Sequence, residues 1–244
     1  MRPFLILQIR PFDDASDDEF KALLKYGGLK ETEAHRVRME QNGIPEINLD
    51  DYSGIIVGGG PSNVSDSLID KSEAQKRFEA DLNILFDKVF NNDFPFLGIC
   101  YGMGALAKHQ GGEVSKELYG ESVGAIDISM TAEGQQDKLL KGLPTVFMAY
   151  CGHKEACQNL TPGATLLASS TECPSQMIRF QSNIYATQFH VELDEAGIKL
   201  RIEAYKNHGY FNPEDAQFLI DKMADANVIY PSKILRRFVD SYKR

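Results

Sequence analysis

Several things are missing from this 244-residue chain, and each absence removes a class of function. No window of about 18 consecutive apolar residues occurs, so no membrane-spanning helix is expected. Acidic residues outnumber basic ones, 35 to 26, and a net charge of −9 argues against a basic patch for nucleic acid. Only four cysteines are present, Cys100, Cys151, Cys157 and Cys173, too few for a disulfide scaffold. Reduced thiols in a cytoplasmic protein are the simpler reading. The opening Met1-Arg2-Pro3-Phe4-Leu5-Ile6-Leu7 lacks the long apolar region and cleavage site of a signal peptide. Linkers, low-complexity tracts, internal repeats, a Walker motif and a Ser-Gly-Gly-x-Asp-Ser pyrophosphatase loop are all missing.

What remains is an ordinary globular composition, 43% hydrophobic and 25% charged. Phe4 to Ile9 is an apolar run of strand length, suited to a buried parallel strand. The acidic stretch that follows, with Asp13, Asp14, Asp17, Asp18 and Glu19, reads as a solvated loop. Thr32 to Gln41 reads as a helix ended by Asn42-Gly43. Ser53 to Pro61 is a β-branched strand running into Gly58-Gly59-Gly60, whose bare backbone can turn N–H groups toward a ligand. Ser72 to Asn91 carries Phe78, Leu82, Leu85, Phe86, Val89 and Phe90 at spacings of three and four, the mark of an amphipathic helix. A helix between two apolar strands is a βαβ unit, and such units build parallel sheets.

The central stretch is Phe94 to Ala107. A short apolar strand, Phe96 to Ile99, changes at Cys100 into small residues able to open a helix. A thiol on such a turn stands at the C-terminal edge of a sheet, with the positive end of a helix behind it, which favours the thiolate. Short strands follow at 123–129, 145–149, 164–168, 176–180 and 184–189, closely spaced enough for antiparallel pairing beside the parallel sheet. The last leads into Gln188-Phe189-His190-Val191-Glu192. In extended chain, residues two apart point the same way, so Glu192 can reach the ring of His190. From Asp194 onward the pattern is helical, with starts at Asn212-Pro213 and Tyr230-Pro231. One α/β domain over residues 1–195, carrying a helical C-terminal extension over 196–244, is expected.

Gly98-Ile99-Cys100-Tyr101-Gly102-Met103 resembles the nucleophile elbow of the class I, or triad, glutamine amidotransferases. Gln188-Phe189-His190-x-Glu192 resembles that family's histidine–glutamate motif, and Val57 to Pro61 its oxyanion loop. Ser170-Thr171-Glu172-Cys173-Pro174 is similar to a stretch upstream of the histidine in the GMP synthase branch. The resemblance covers about residues 4–195. It implies a flavodoxin-like three-layer sandwich around a mostly parallel sheet, with Cys100, His190 and Glu192 as a catalytic triad. It also implies an oxyanion hole from the N–H groups of Gly60 and Tyr101, a γ-glutamyl thioester and release of ammonia. No cofactor and no metal are implied. Family members pass ammonia to a synthetase domain or subunit, so a separate acceptor synthetase is expected, or else a stand-alone hydrolase; a dimer is compatible with the pattern.

This sequence departs from the family at three places. Gln is usual four residues after the cysteine, where it holds the amino-acid end of glutamine; here Gly104 stands there. A lost polar contact of this kind costs about 1–3 kcal/mol, which opens a second reading, a γ-glutamyl peptidase or hydrolase acting on a conjugate. Val191 replaces the usual Pro. Tyr150-Cys151-Gly152-His153-Lys154-Glu155 occupies the place of a Ser-His-Gly-Asp segment, making Cys151 and His153, with Gly59 and Gly104, candidates for substrate contact. Two readings from other classes compete. Gly102-x-Gly104-x-x-Ala107 with Asp127 is a loose dinucleotide fingerprint. Cys151, His153, Cys157 and Cys173 are metal-ligand types, although Cys-x-His spacing fits no common zinc module.

Overall fold

The computed structural model describes residues 1–209, 211–224 and 226–244. In chain order the elements are β1 (Phe4–Gln8), α1 (Asp13–Gly27), β2 (Ala34–Arg38), α2 (Met39–Asn42), β3 (Gly54–Val57), α3 (Glu73–Asn91), β4 (Phe96–Ile99) and α4 (Tyr101–His109). Then come β5 (Val114–Ser115), β6 (Glu121–Met130), α5 (Ala132–Gln136), β7 (Val146–His153), β8 (Ala156–Cys157), β9 (Ala164–Ser169), β10 (Met177–Phe180) and β11 (Ile184–Thr187). Three helices follow: α6 (Glu195–Tyr205), α7 (Ala216–Ala224) and α8 (Pro231–Tyr242). Among the described residues the main sheet has nine strands in the order β2-β1-β3-β4-β11-β10-β9-β6-β7. The first five pair parallel and the last four form an antiparallel wing.

Alternation along the central strands sorts side chains onto two faces, as the two-residue period of a strand requires. Leu5 and Leu7 of β1, Ile55 and Val57 of β3, and Phe96 of β4 join the apolar stripe of α3. Phe4, Ile6, Ile56, Leu97 and Ile99 face the other way, onto Phe20 and Leu23 of α1 and Ile234, Leu235 and Phe238 of α8. Each such side chain, fully buried, contributes on the order of 1.5–3 kcal/mol. Both faces are covered, which gives the three-layer α/β sandwich expected from the sequence, and α8 is part of its core. A third cluster packs Ile198 and Ile202 of α6 and Met223 of α7 against Tyr150 of β7. The helix at 73–91 is capped as its sequence suggests, with Ser72 Oγ accepting from the Gln75 N–H.

Two local expectations are overturned. The acidic stretch at 13–19 is the start of helix α1 and not a solvated loop. Its acids hide the helical pattern because they are spent on bases at the ends of neighbouring strands: Asp17 pairs with Arg36 at 2.7 Å, Asp13 with Arg38, and buried Glu19 with Arg10 at 2.8 Å. The segment 32–41 is not a helix but the parallel edge strand β2, with only a single turn, α2, at its end. Pairing with β1 in register Phe4↔Ala34 through Gln8↔Arg38 wins over a local preference that was never strong. No helix among the described residues is long and apolar enough to cross a membrane.

Candidate active site

The C-terminal ends of β1, β3, β4 and β11 meet in a shallow depression, and the residues singled out in the sequence lie around it. Cys100 joins β4 to α4 with φ 52° and ψ −99°, a left-handed conformation that side chains other than glycine rarely adopt. Its N–H donates to the Thr187 carbonyl of β11 at 2.7 Å, and its own carbonyl accepts from Met103 N at 3.0 Å, opening α4. The turn closes this tightly only with small residues. A Cβ on Gly98 would sit 2.7 Å from the Gly102 carbonyl, and one on Gly102 would sit 2.8 Å from the Val57 oxygen. A Cβ on Gly59 would meet His190 Cε1 at 3.0 Å, Arg10 Nη2 at 3.1 Å and the Cys100 Cβ at 3.3 Å. Gly59 is therefore where these three side chains converge, and its lack of a side chain allows them to.

His190 follows β11 and is held by its N–H, which donates to Tyr150 O at 2.9 Å. Its Nδ1 lies 2.7 Å from Glu192 Oε1, so Nδ1–H donates and Nε2 is left toward Cys100. Burial alone would make the imidazole harder to protonate. The Glu192 carboxylate and the Cys100 sulfur more than offset this, and the pKa rises to about 9. Glu192 is fully buried; burial opposes its charge, but His190, Arg201 and Arg10 hold it ionised, well below the usual carboxylate range. Gln188 Nε2 approaches Cys100 Sγ at 3.9 Å from the same segment.

Two cavities flank Cys100. One, of about 60 Å³, lies on the His190 side and is lined by Arg10, Gly60, Cys151, Arg201 and Ile202 among others. The second, of about 20 Å³, lies along α4 and is lined by Gly60, Tyr101, Gly104, His153 and Glu155 among others. The candidate contact residues thus divide: Cys151 faces the first, Gly104 and His153 the second, and Gly59 lies behind the sulfur. Tyr101 is the first residue of α4, so its N–H is one of the helix's unpaired donors; its hydroxyl points away and donates to Glu79 at 3.0 Å.

Three residues that sequence reasoning did not single out shape this region. Arg10 and Arg201 are both buried in the larger cavity's wall. Burial opposes the charge on Arg10, but Glu19 and Tyr205 beside it outweigh that. The third is Glu155, which stands where Gly104 leaves room: a Cβ on Gly104 would lie 3.4 Å from Glu155 Oε1 and 3.3 Å from Val64 Cγ2. Glu155 accepts from the N–H groups of Val64 and Ser65 at 2.8 and 2.9 Å. It lies inside the 150–155 segment that the sequence marked as unusual, but nothing in the sequence set it beside Gly104.

His153 is less available than its position suggests. Its Nε2 donates to Glu121 Oε2 at 2.8 Å and its Nδ1 lies 2.9 Å from the Glu155 carbonyl. Glu121 also accepts from Cys151, Gln176 and Ser170. Glu121, His153 and Cys173 present ligand-type atoms within 4.8 Å of one another. The Glu121 carboxylate already accepts from four side chains, and burial pushes the Cys173 thiol up to about 12, so the cluster has the chemistry of a hydrogen-bonded core rather than of a metal cage. Cys157 belongs to a separate apolar cluster. Asp127 is exposed on β6, four places along the sheet from β4, so the dinucleotide fingerprint does not assemble.

Cys100 at the end of β4 and the His190–Glu192 pair just beyond the neighbouring β11 thus share one edge of the mostly parallel sheet, the architecture of a flavodoxin-like α/β protein. The chain belongs to the class-I glutamine amidotransferase family, whose profile, "Glutamine amidotransferase class-I", matches residues 14–206. The GMP synthase [glutamine-hydrolyzing] of Bacillus velezensis is 31% identical over 177 residues, which are 71% of this chain and 30% of that protein. That of Wolinella succinogenes is 33% identical over 141 residues, 57% of this chain and 25% of that one. This chain therefore matches less than a third of these relatives' length. Among solved structures, a glutamine amidotransferase from Thermotoga maritima superposes with a TM-score of 0.77 at 20% identity, covering 99% of this chain and 98% of that one. One from Methylobacillus flagellatus gives 0.74 at 18% identity, covering 100% and 96%. These two show the shared flavodoxin-like fold.

Proposed function

We propose that this chain is a cysteine-dependent amidohydrolase that cleaves the side-chain amide of glutamine or of a γ-glutamyl amide. The observation that carries the reading is the alignment of Cys100, His190 and Glu192 at one sheet edge, with Glu192 2.7 Å from His190 Nδ1. Residues 1–195 form the amidotransferase-like unit, and 196–244 form a helical extension packed on the same domain.

His190 Nε2 takes the proton from the Cys100 thiol, and the sulfur attacks the amide carbon. The N–H groups of Gly60 and Tyr101 hold the resulting oxyanion. The carbon–nitrogen bond breaks as His190 returns the proton to the leaving nitrogen, freeing ammonia or an amine and leaving a γ-glutamyl thioester. Water then adds, giving its proton to His190. The carbon–sulfur bond breaks, glutamate departs, and the thiol is restored. Glu192 fixes the ring and keeps the imidazolium stable. Glu155 replaces the polar group that Gly104 lacks, as a carboxylate suited to the substrate's α-ammonium.

Relatives named as glutamine-hydrolyzing synthases support ammonia transfer to an acceptor synthetase. The four free thiols fit a reducing, cytoplasmic setting. The second reading, hydrolysis of a γ-glutamyl conjugate, is favoured by the cavity on the His190 side, which exceeds what ammonia needs. The test is labelling with a glutamine-analogue electrophile, which should modify Cys100 alone, and Cys100→Ala, which should abolish turnover with the fold intact. A wild type that stays unlabelled, and inert with glutamine and γ-glutamyl amides from about pH 6 to 9, refutes the reading.

A further inference from the structure

The two N–H groups proposed for the oxyanion come from separate parts of the chain, Gly60 from the loop after β3 and Tyr101 from the first turn of α4. Such donors are effective only when both are held in place beforehand. Residues 63–65 continue the Gly60 loop and lie outside any helix or strand. Side chains from elsewhere nonetheless hold their backbone. Gln75 Nε2 donates to the Asn63 carbonyl at 2.9 Å. The N–H groups of Val64 and Ser65 donate to Glu155. The Val64 carbonyl accepts from two ammonium groups, Lys71 at 3.0 Å and Lys108 of α4.

These contacts converge on Glu79 of α3. Its Oε2 pairs with Lys71 Nζ at 2.6 Å. Its Oε1 accepts from Gln75 Nε2 at 2.9 Å and from the Tyr101 hydroxyl at 3.0 Å. Lys71, Gln75 and Tyr101 are all buried, so these bonds are strong and an ammonium left unpaired there would be costly. Burial and the Glu79 carboxylate push the Tyr101 phenol well above its ordinary pKa, so it remains a donor. One carboxylate thus holds the side chain of one proposed donor and, through Lys71 and Gln75, the loop that bears the other. Glu79 is absent from the walls of both cavities beside Cys100, so its role there is not contact with substrate.

We infer that Glu79 is a positioning residue that couples the two halves of the oxyanion hole, setting the Tyr101 donor and the Gly60 loop relative to each other. This rests on the oxyanion step proposed above and extends it to a residue outside the site. Loss of one such donor outright costs about 10²–10³ in rate, and a misplacement of about 1 Å costs up to about a hundredfold.

The test sets hydrolysis against alkylation. Iodoacetamide attacks the Cys100 thiolate without forming an oxyanion, and the other three thiols are buried. Tyr101→Phe removes one hydroxyl and keeps the ring against Phe78. Lys71→Met combined with Glu79→Met removes both charges, so no buried ion is stranded. Tyr101→Phe should lower kcat for glutamine about three- to tenfold, and the double variant about ten- to a hundredfold, each with KM changed less than about threefold. Adding Tyr101→Phe to the double variant should slow it no further, because both routes pass through one carboxylate. Alkylation of Cys100 should keep the wild-type rate throughout. An unchanged kcat overturns the inference. So does a kcat that falls in step with alkylation, which marks a general loss of structure, and so do effects that multiply in the triple variant. If the double variant does not fold, Tyr101→Phe decides through the same two readouts. With an active wild type, any of these failures strikes Glu79 alone; a wild type that is inert and unlabelled takes the catalytic reading with it.

Discussion

The conformation of Cys100 makes a test that separates the backbone of the site from its chemistry. At φ 52° and ψ −99° the residue lies outside the wells that a side chain tolerates, and such strain costs about 1–3 kcal/mol. Cys100→Ala removes the thiol but keeps the Cβ and the strain. Cys100→Gly removes both. At an ordinary position glycine is the worse residue by about 0.4–1 kcal/mol, because the unfolded chain gains freedom. Here strain relief exceeds that loss, so the glycine variant should be more stable than the alanine variant by about 0.5–2 kcal/mol. In a chain of this size that is a rise of roughly 2–6 °C in Tm. Both variants should be inactive, so activity gives no guide and the readout is paired thermal and urea unfolding. A glycine variant less stable than the alanine one would show that the turn is unstrained and refute the argument.

Three further outcomes follow from distances in the site. The pKa of His190 is raised to about 9 from an ordinary value of 6.5, so kcat/KM should fall as pH rises through about 9, where the imidazolium that protonates the leaving amine is lost. A raised pKa gives stability that is complete below about 6.5 and lost as pH rises through about 9; Glu192→Gln should move the upper limb to lower pH, and an unmoved limb counts against the pair. Gly104→Gln, which restores the family residue, should lower glutamine hydrolysis by at least about tenfold, because the new side chain must displace Glu155 from its two N–H groups; faster turnover would refute the substitution of Glu155 for that glutamine. Gly59→Ala puts a methyl 3.0–3.3 Å from His190, Arg10 and Cys100 and should cut kcat/KM by about ten- to a hundredfold with little change in unfolding midpoint; full activity would mean that the triad has slack.

Much of the central architecture could be read in advance because it rests on short-range patterns. The β-branched run before Gly58, the stripe of 78–90 and the small residues after Cys100 each carry their own period, and the structure keeps all three. Beyond β1, which its apolar run marks correctly, residues 13–41 could not be read this way. Helix α1 is masked by acids whose purpose is visible only when Arg10, Arg36 and Arg38 are brought beside them by the parallel pairing of β1 and β2. The same limit applies at the depression beside Cys100. Cys100, His190 and Glu192 announce themselves through a turn and an i, i+2 spacing, whereas Arg10, Glu155 and Arg201 carry no local signature. They arrive from the end of β1, the loop after β7, and α6, and only the folded chain shows that they converge.

The hydrogen bond from the Cys100 N–H to the Thr187 carbonyl bears on how the site moves. It continues the ladder between β4 and β11, so segments almost ninety residues apart in the chain are joined at the point where the sulfur and the imidazole must meet. Loops that open and close are the first parts of a protein to exchange their amide hydrogens. The amide of Cys100 is instead tied to two central strands of the sheet and should exchange only when those strands separate. Whatever fluctuates in this molecule, the spacing of Cys100 and His190 should then be held by two paired central strands rather than by a loop.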